Sequence, residues 1–171
     1  MTRDTLHPTV PPGLCVAFYK GTRPGVAGLY NRLGRFLDRG PYSHCELVFS
    51  DGVSASSSFM DGGVRFKQIG YSSVGSWDFL QLPAKYNLEA RARSWFELHE
   101  GAGYDVWGNI RFGIGFARDS ADKWFCSESV VASLWLEQDA YRWGPSGACP
   151  LLTRYYQGRL VQVPKPMETQ L

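Results

Sequence analysis

Residues 123–129 read KWFCSES, and the nine that follow, VVASLWLEQ, continue as a helix-forming run. Cys126 therefore stands where an aromatic pair gives way to the first turn of a helix, expected from Cys126 to Gln138 with Cys126, Val130 and Leu134 on one face. Two readings account for a thiol there. Free cysteine is among the most buried residue types, so a packed structural thiol is one. The other is a nucleophile: unpaired N–H groups and the positive end of the helix dipole lower a thiol's pKa toward the reactive thiolate. What separates the readings is whether the chain also supplies a base.

The bulk properties set the frame. A chain of 171 residues suits one compact domain, here residues 1–171, with 1–12 expected as a flexible lead and 144–171 as an irregular, proline-bearing tail. Apolar residues at 44% and charged residues at 20% are ordinary for a globular protein, whereas 15% aromatic is high and points to a core or groove rich in rings. A formal net charge of +2 gives no pull toward nucleic acid, so no nucleic-acid partner is expected. No segment approaches the roughly 18 apolar residues of a membrane span, so stable membrane insertion is not expected. The opening MTRDTLHPTVPPG lacks the apolar centre of a secretory signal, and a cytoplasmic or phage-associated protein is expected. Cys15, Cys45, Cys126 and Cys149 are scattered without paired spacing, which argues against structural zinc and predicts reduced thiols, with no metal or other cofactor called for.

Outward from Cys126, the rest of the chain supplies strands and two further helices. GLCVAFYKG, bounded by Gly13 and Gly21, predicts a first strand. Val26, Leu29, Tyr30, Leu33 and Leu37 recur at helical spacing until Gly40-Pro41, with Arg32, Arg35 and Arg39 on a solvated face or, alternatively, holding an anion. SHCELVF predicts a second strand, Asp51-Gly52 a hairpin turn, VSASSSFM a third strand, VRFKQIG a fourth and SWDFLQLP a fifth. Asn87 is an acceptable cap for a helix whose Leu88, Ala92, Trp95 and His99 share a face and which ends at Gly101. GAGYDVWGNIRFGIGF is expected as a close-packed loop or short helix, and its glycines do not form a phosphate-binding fingerprint.

Three histidines compete for the role of base. His7 lies in the lead and His99 beside an apolar helix stripe, where packing explains it, whereas His44 opens a strand next to a hairpin. A rigid strand end presents an imidazole well, and a cysteine nucleophile needs one to hold the ion pair and protonate the leaving group. His44 is the candidate general base.

The order YSHCELVFSDG, DGGVRF, YDVWG, FCSESVVASL resembles the circularly permuted branch of the NlpC-type papain-like cysteine hydrolases. That branch includes the YiiX/YaeF-like peptidases and is related to the lecithin:retinol acyltransferase-like enzymes. The likeness runs over roughly residues 13–138. It implies Cys126 as nucleophile, His44 as general base, and an α+β domain in which the cysteine helix packs on a small antiparallel sheet. At the third position, which orients the imidazole and is often acidic or a second histidine in that family, VSASSSFM offers only hydroxyls. Ser56 is the choice by offset, Ser57 would replace it after a one-residue slip of the hairpin, and Glu46 competes from the face it shares with His44. Cβ atoms two residues apart on a strand are roughly 6–7 Å apart, which counts against Glu46.

The backbone N–H of Cys126 is one oxyanion donor. Glu128 reads as a first-turn acid, and Tyr104-Asp105 as packing and capping groups. Three functions are open: hydrolysis of an amide in a peptide-like substrate through a Cys126 thioester, a binding module in which catalysis has lapsed, and acyl transfer from a lipid.

Overall fold

The structure is a computed structural model and describes residues 10–22, 24–71, 75–85, 87–106, 122–135 and 137–162. Within them lie eight strands: β1 (Cys15–Tyr19), β2 (His44–Val48), β3 (Val53–Ser58), β4 (Gly63–Gln68), β5 (Trp77–Gln81), β6 (Gly103–Tyr104), β7 (Lys123–Trp124) and β8 (Arg159–Val161). The helices are α1 (Gly25–Leu37), α2 (Leu88–His99), α3 (Cys126–Ser133) and α4 (Pro145–Tyr156). The strands form one sheet in the order β7-β6-β4-β3-β2-β1-β5-β8. Each pairing is antiparallel except β6 with β7. The fold is α+β, as expected.

Strand alternation divides the apolar residues between two clusters. Val16 and Phe18 of β1, Cys45 and Leu47 of β2 and Ala55 of β3 join one cluster with Leu88, Ala92 and Phe96 of α2, Val130 and Val131 of α3, and Leu152 of α4. Cys15, Ala17, Tyr19, Val48, Trp77 and Phe79 form the other with Val10 and Tyr71. The β2–β3 turn forms as its Asp-Gly step predicts. Gly52 has φ +89°, its N–H donates to the Phe49 carbonyl at 3.0 Å, and the Asp51 carboxylate accepts from the Val53 N–H at 3.0 Å. At the start of β4 only glycine fits, because a Cβ on Gly63 would lie 2.0 Å from the Ala102 carbonyl oxygen.

Helix α3 is buried along its whole length even though three of its eight residues are serines. Two of the hydroxyls are satisfied locally, Ser129 Oγ donating to the Cys126 carbonyl at 2.9 Å and Ser133 Oγ to that of Val130 at 2.8 Å.

Four expectations are corrected. Helix α3 stops at Ser133 rather than Gln138, because the N–H groups of Leu134 and Trp135 turn back to carbonyls three residues earlier and Trp135 adopts φ +71°. The tail is not irregular from 144 onward: Pro145 occupies the first helical turn, where its missing N–H costs nothing, and α4 continues through Pro150 because Ala148, Cys149 and Leu152 are buried. The lead is held from Val10, which is packed in the second cluster, while the Pro12 carbonyl accepts from Gln81 Nε2 at 2.9 Å. Asn87 makes no side-chain cap, since its left-handed backbone (φ +54°) turns the amide away from the first-turn N–H groups. His7 and residues 107–116 of the glycine-rich stretch lie outside the described residues.

Leu29 and Leu33 of the expected α1 stripe are exposed rather than packed into the core, and so is Phe36 of the same helix. Arg35, of the arginines in α1, is tied to backbone and hydroxyl oxygens, with Nη2 donating to Thr22 Oγ1 at 2.8 Å.

Candidate functional site

Helix α3 packs on β2 and β3, which brings its first residue to the start of β2. There Cys126, only 3% exposed, meets His44, and the thiol and imidazole are both hydrogen-bond and charge partners. His44 and Cys126, distant in the chain, are brought together by the fold.

The ring is held from its other side. His44 Nε2 lies 2.7 Å from Glu46 Oε1, and the Glu46 side chain is 1% exposed. An ionised carboxylate only accepts, so Nε2 carries the hydrogen and Nδ1 is the nitrogen left for the sulfur. Ser56 does not take this place. Its Oγ donates to the Cys45 carbonyl at 2.8 Å, and Ser57, turned to the helix side, donates to the Trp124 carbonyl at 2.6 Å. The Cβ separation that counted against Glu46 is spanned because both side chains are long enough to lean together along the strand.

Glu46 is in turn fixed by Arg65, whose Nη1 and Nη2 reach Oε2 and Oε1 at 2.7 and 2.6 Å. Ser56 stands directly opposite Arg65, and β3 separates β2 from β4. Two strand spacings amount to about 9–10 Å, and the small Ser56 side chain lets the guanidinium cross that distance to the carboxylate. Arg65 Nε also donates to Asp61 at 2.9 Å, and Asp61 accepts from Lys67 at 2.7 Å. The serines that make β3 a mediocre strand on propensity keep this face of the sheet low enough for a charged network to lie across it.

The electrostatics follow from these contacts. Burial alone would pull the His44 pKa down, but the charges of Cys126 and Glu46 and the bonds to both raise it to about 9. Cys126 is held well below its ordinary value, chiefly by a hydrogen bond from the Cys45 thiol, which together with His44 overcomes the burial that raises it. Burial pushes Glu46 up, yet the Arg65 bonds and the His44 charge bring it down to about 2. Asp38, whose carboxylate accepts from the Ser146 N–H, is raised by burial to about 6 and feels the Cys126 charge. A thiolate–imidazolium pair backed by a carboxylate is the resulting charge state near neutral pH.

Other expected groups take supporting places. Glu128 accepts from the Phe125 N–H at 3.1 Å, closing the first turn of α3, as befits a first-turn acid. Tyr104 stacks edge-on against Phe59, with centroids 5.7 Å apart, and the Asp105 N–H donates to the Trp124 carbonyl at 3.1 Å. His99 stacks on Trp95 at 4.0 Å, a packed histidine. Ser127, the residue after Cys126, has a buried hydroxyl with no hydrogen-bond partner among the described residues.

A cavity of about 720 Å³ opens on the sheet face that carries His44, Glu46 and Arg65. Leu29 and Leu33 of α1 form one lip and Phe59 and Met60 the other, with Ile69 and Trp77 further in. His44 is among the lining residues and Cys126 is not.

Sequence reasoning missed Arg65, Asp38 and the Cys45 thiol. The only signal for Arg65 was its place on the strand after the serines; no local pattern marks the other two. Among the described residues, no cluster of three His, Cys, Asp or Glu side chains is arranged to hold a metal ion, and no helix is long and apolar enough to cross a membrane. The chain matches no protein-family model, and no curated protein matches its sequence.

Proposed function

We propose that the protein is a cysteine hydrolase that acts through a Cys126 thioester, with His44 as general base and Glu46 orienting the ring. The observation that carries this reading is the Cys126–His44–Glu46 series at the start of a buried helix, because a nucleophile, a base and an orienting group in mutual reach are the parts that thiol acyl transfer needs. The Cys126 thiolate attacks a carbonyl carbon, and the oxygen that gains charge lies near the N–H groups of the first turn of α3. The His44 imidazolium then gives its proton to the departing nitrogen as the carbon–nitrogen bond breaks. In the second half, His44 takes a proton from water, the hydroxide attacks the thioester, and the thiol is released with the acid product. A carboxylate at the third position supports catalysis over the lapsed binding module, since it stabilises imidazolium as a hydroxyl cannot.

The test is competitive alkylation. Iodoacetamide should label Cys126 at least about tenfold faster than Cys15, Cys45 or Cys149, and His44→Ala should abolish the preference. Equal rates in the unaltered protein would overturn the reading.

The cavity favours a second reading, in which the acyl group comes from a lipid. Its lips are exposed apolar side chains, which suit an alkyl chain better than a polar peptide. An activated lipid donor such as a p-nitrophenyl ester of a long fatty acid should then form a thioester on Cys126 faster than a short-chain ester. Leu33→Asp should erase that chain-length preference while leaving short-chain turnover in place.

A further inference from the structure

The proposed reaction uses Cys126 as nucleophile and asks of the Cys45 thiol only a hydrogen bond to it. Cys45 follows His44 on β2, and strand alternation turns it to the helix side, where it is fully buried in the same cluster as Cys126. Helix α3, which Cys126 opens, packs on β2, and the Cys45 thiol and backbone N–H both act on the Cys126 sulfur as hydrogen-bond donors. A second thiol against a reactive one is a chemical arrangement in its own right, because such a thiol can capture the first oxidation product of its neighbour. The other two cysteines have no such position. Cys15 sits in the opposite cluster, and Cys149, on α4, lies beside Tyr42 and Thr153 with its thiol pushed up to about 11 by burial.

We propose that Cys45 and Cys126 form a peroxide-responsive pair, with Cys45 resolving an oxidised Cys126 as a reversible disulfide. The inference rests on the proposed function only for the reactivity of Cys126. In the first step the Cys126 thiolate attacks one oxygen of hydrogen peroxide and the O–O bond breaks. Sulfur gives up two electrons and becomes a sulfenic acid, and the departing hydroxide takes the His44 proton to leave as water. In the second step the Cys45 sulfur attacks the Cys126 sulfur and the S–O bond breaks. The hydroxyl leaves with the Cys45 proton as a second water. Forming a bond of about 2.05 Å requires a closing movement at the junction of β2 and α3. The disulfide silences the nucleophile and protects it from further, irreversible oxidation.

The test is mass spectrometry of the full chain after hydrogen peroxide, with peptide mapping under non-reducing conditions. The unaltered protein should lose the mass of two hydrogens and yield a Cys45–Cys126 cross-linked peptide. Iodoacetamide labelling of Cys126 should fall about tenfold or more and return on adding dithiothreitol. Cys45→Ser, or Cys45→Ala if the serine variant fails to fold, should instead gain two or three oxygens on Cys126, with no recovery. Oxygen adducts on Cys126 of the unaltered protein without the cross-link, or a cross-link to Cys15 or Cys149, would overturn the proposal. These readouts need no turnover, so a cross-link that forms in protein with fast Cys126 alkylation but no amide or ester turnover would sink the hydrolase reading alone.

Discussion

The two sides of β2 carry different chemistry on the same five residues. Toward the helices, Cys45 and Leu47 are fully buried among aliphatic and aromatic side chains of α2, α3 and α4. Toward the cavity, His44 and Glu46 belong to a charged row that continues through Arg65 to Asp61 and Lys67. One side contributes chiefly by removing apolar surface from water, the other by holding charges that a single missing partner would leave uncompensated. Cys126 sits where the two meet: its backbone belongs to the packed helix and its sulfur to the charged row. The Cys126 thiol is thereby held on a rigid element with its ionisation set from both sides, by the Cys45 thiol of the packed cluster and by His44 of the charged row.

That contrast can be broken by substitution. The largest effect is expected from His44→Ala, which should lower turnover by about 10³-fold or more while costing on the order of 1 kcal/mol in urea unfolding, since Glu46 keeps Arg65. Leu47→Ala, three positions along the same strand, should do the reverse. It should cost about 2–5 kcal/mol of stability and leave the turnover of the folded fraction near its original value. If both substitutions moved stability and turnover together, the two sides would not be separable.

Glu46→Gln sharpens the comparison within the charged row. His44, raised to about 9, is protonated below that pH, so the alkaline limb of the activity profile should fall near pH 9 as the imidazolium is lost. Removing the Glu46 charge removes one of the contributions that raise His44, so the limb should move to lower pH and turnover should drop on the order of 10-fold to 100-fold. An unmoved limb would mean that Glu46 does not govern the ring. The smallest effect is expected from Ser56→Ala, which deletes a hydroxyl bonded only to backbone carbonyls. It should cost about 0.5–1.5 kcal/mol and leave the pH profile in place, whereas a shifted profile would return Ser56 to the third position.

Much of this was legible along the chain. The Asp51-Gly52 turn, the first five strands and helices α1 and α2 follow from punctuation and periodicity, which are local properties. The pairing of Cys126 with His44 was legible as a requirement, because only one histidine lay on a strand end. The third partner was not. Strand spacing argues about Cβ atoms, but the contact between His44 and Glu46 is made by side-chain tips, and what stabilises it is an arginine two strands away. α4 was missed for a related reason: Pro150 is a strong local signal against helix, and burial of Ala148, Cys149 and Leu152 outweighs it.

From residue types and their order came the first five strands, helices α1 and α2, the helix start at Cys126 and the choice of His44 as its candidate partner, all matters of a few neighbouring residues. The folded chain alone settled which carboxylate holds the imidazole, that Arg65 anchors it over a floor of serines, and that a second thiol acts on the first. Those outcomes depend on distances between segments that share no local pattern, and such distances come into being only when the sheet closes against α3.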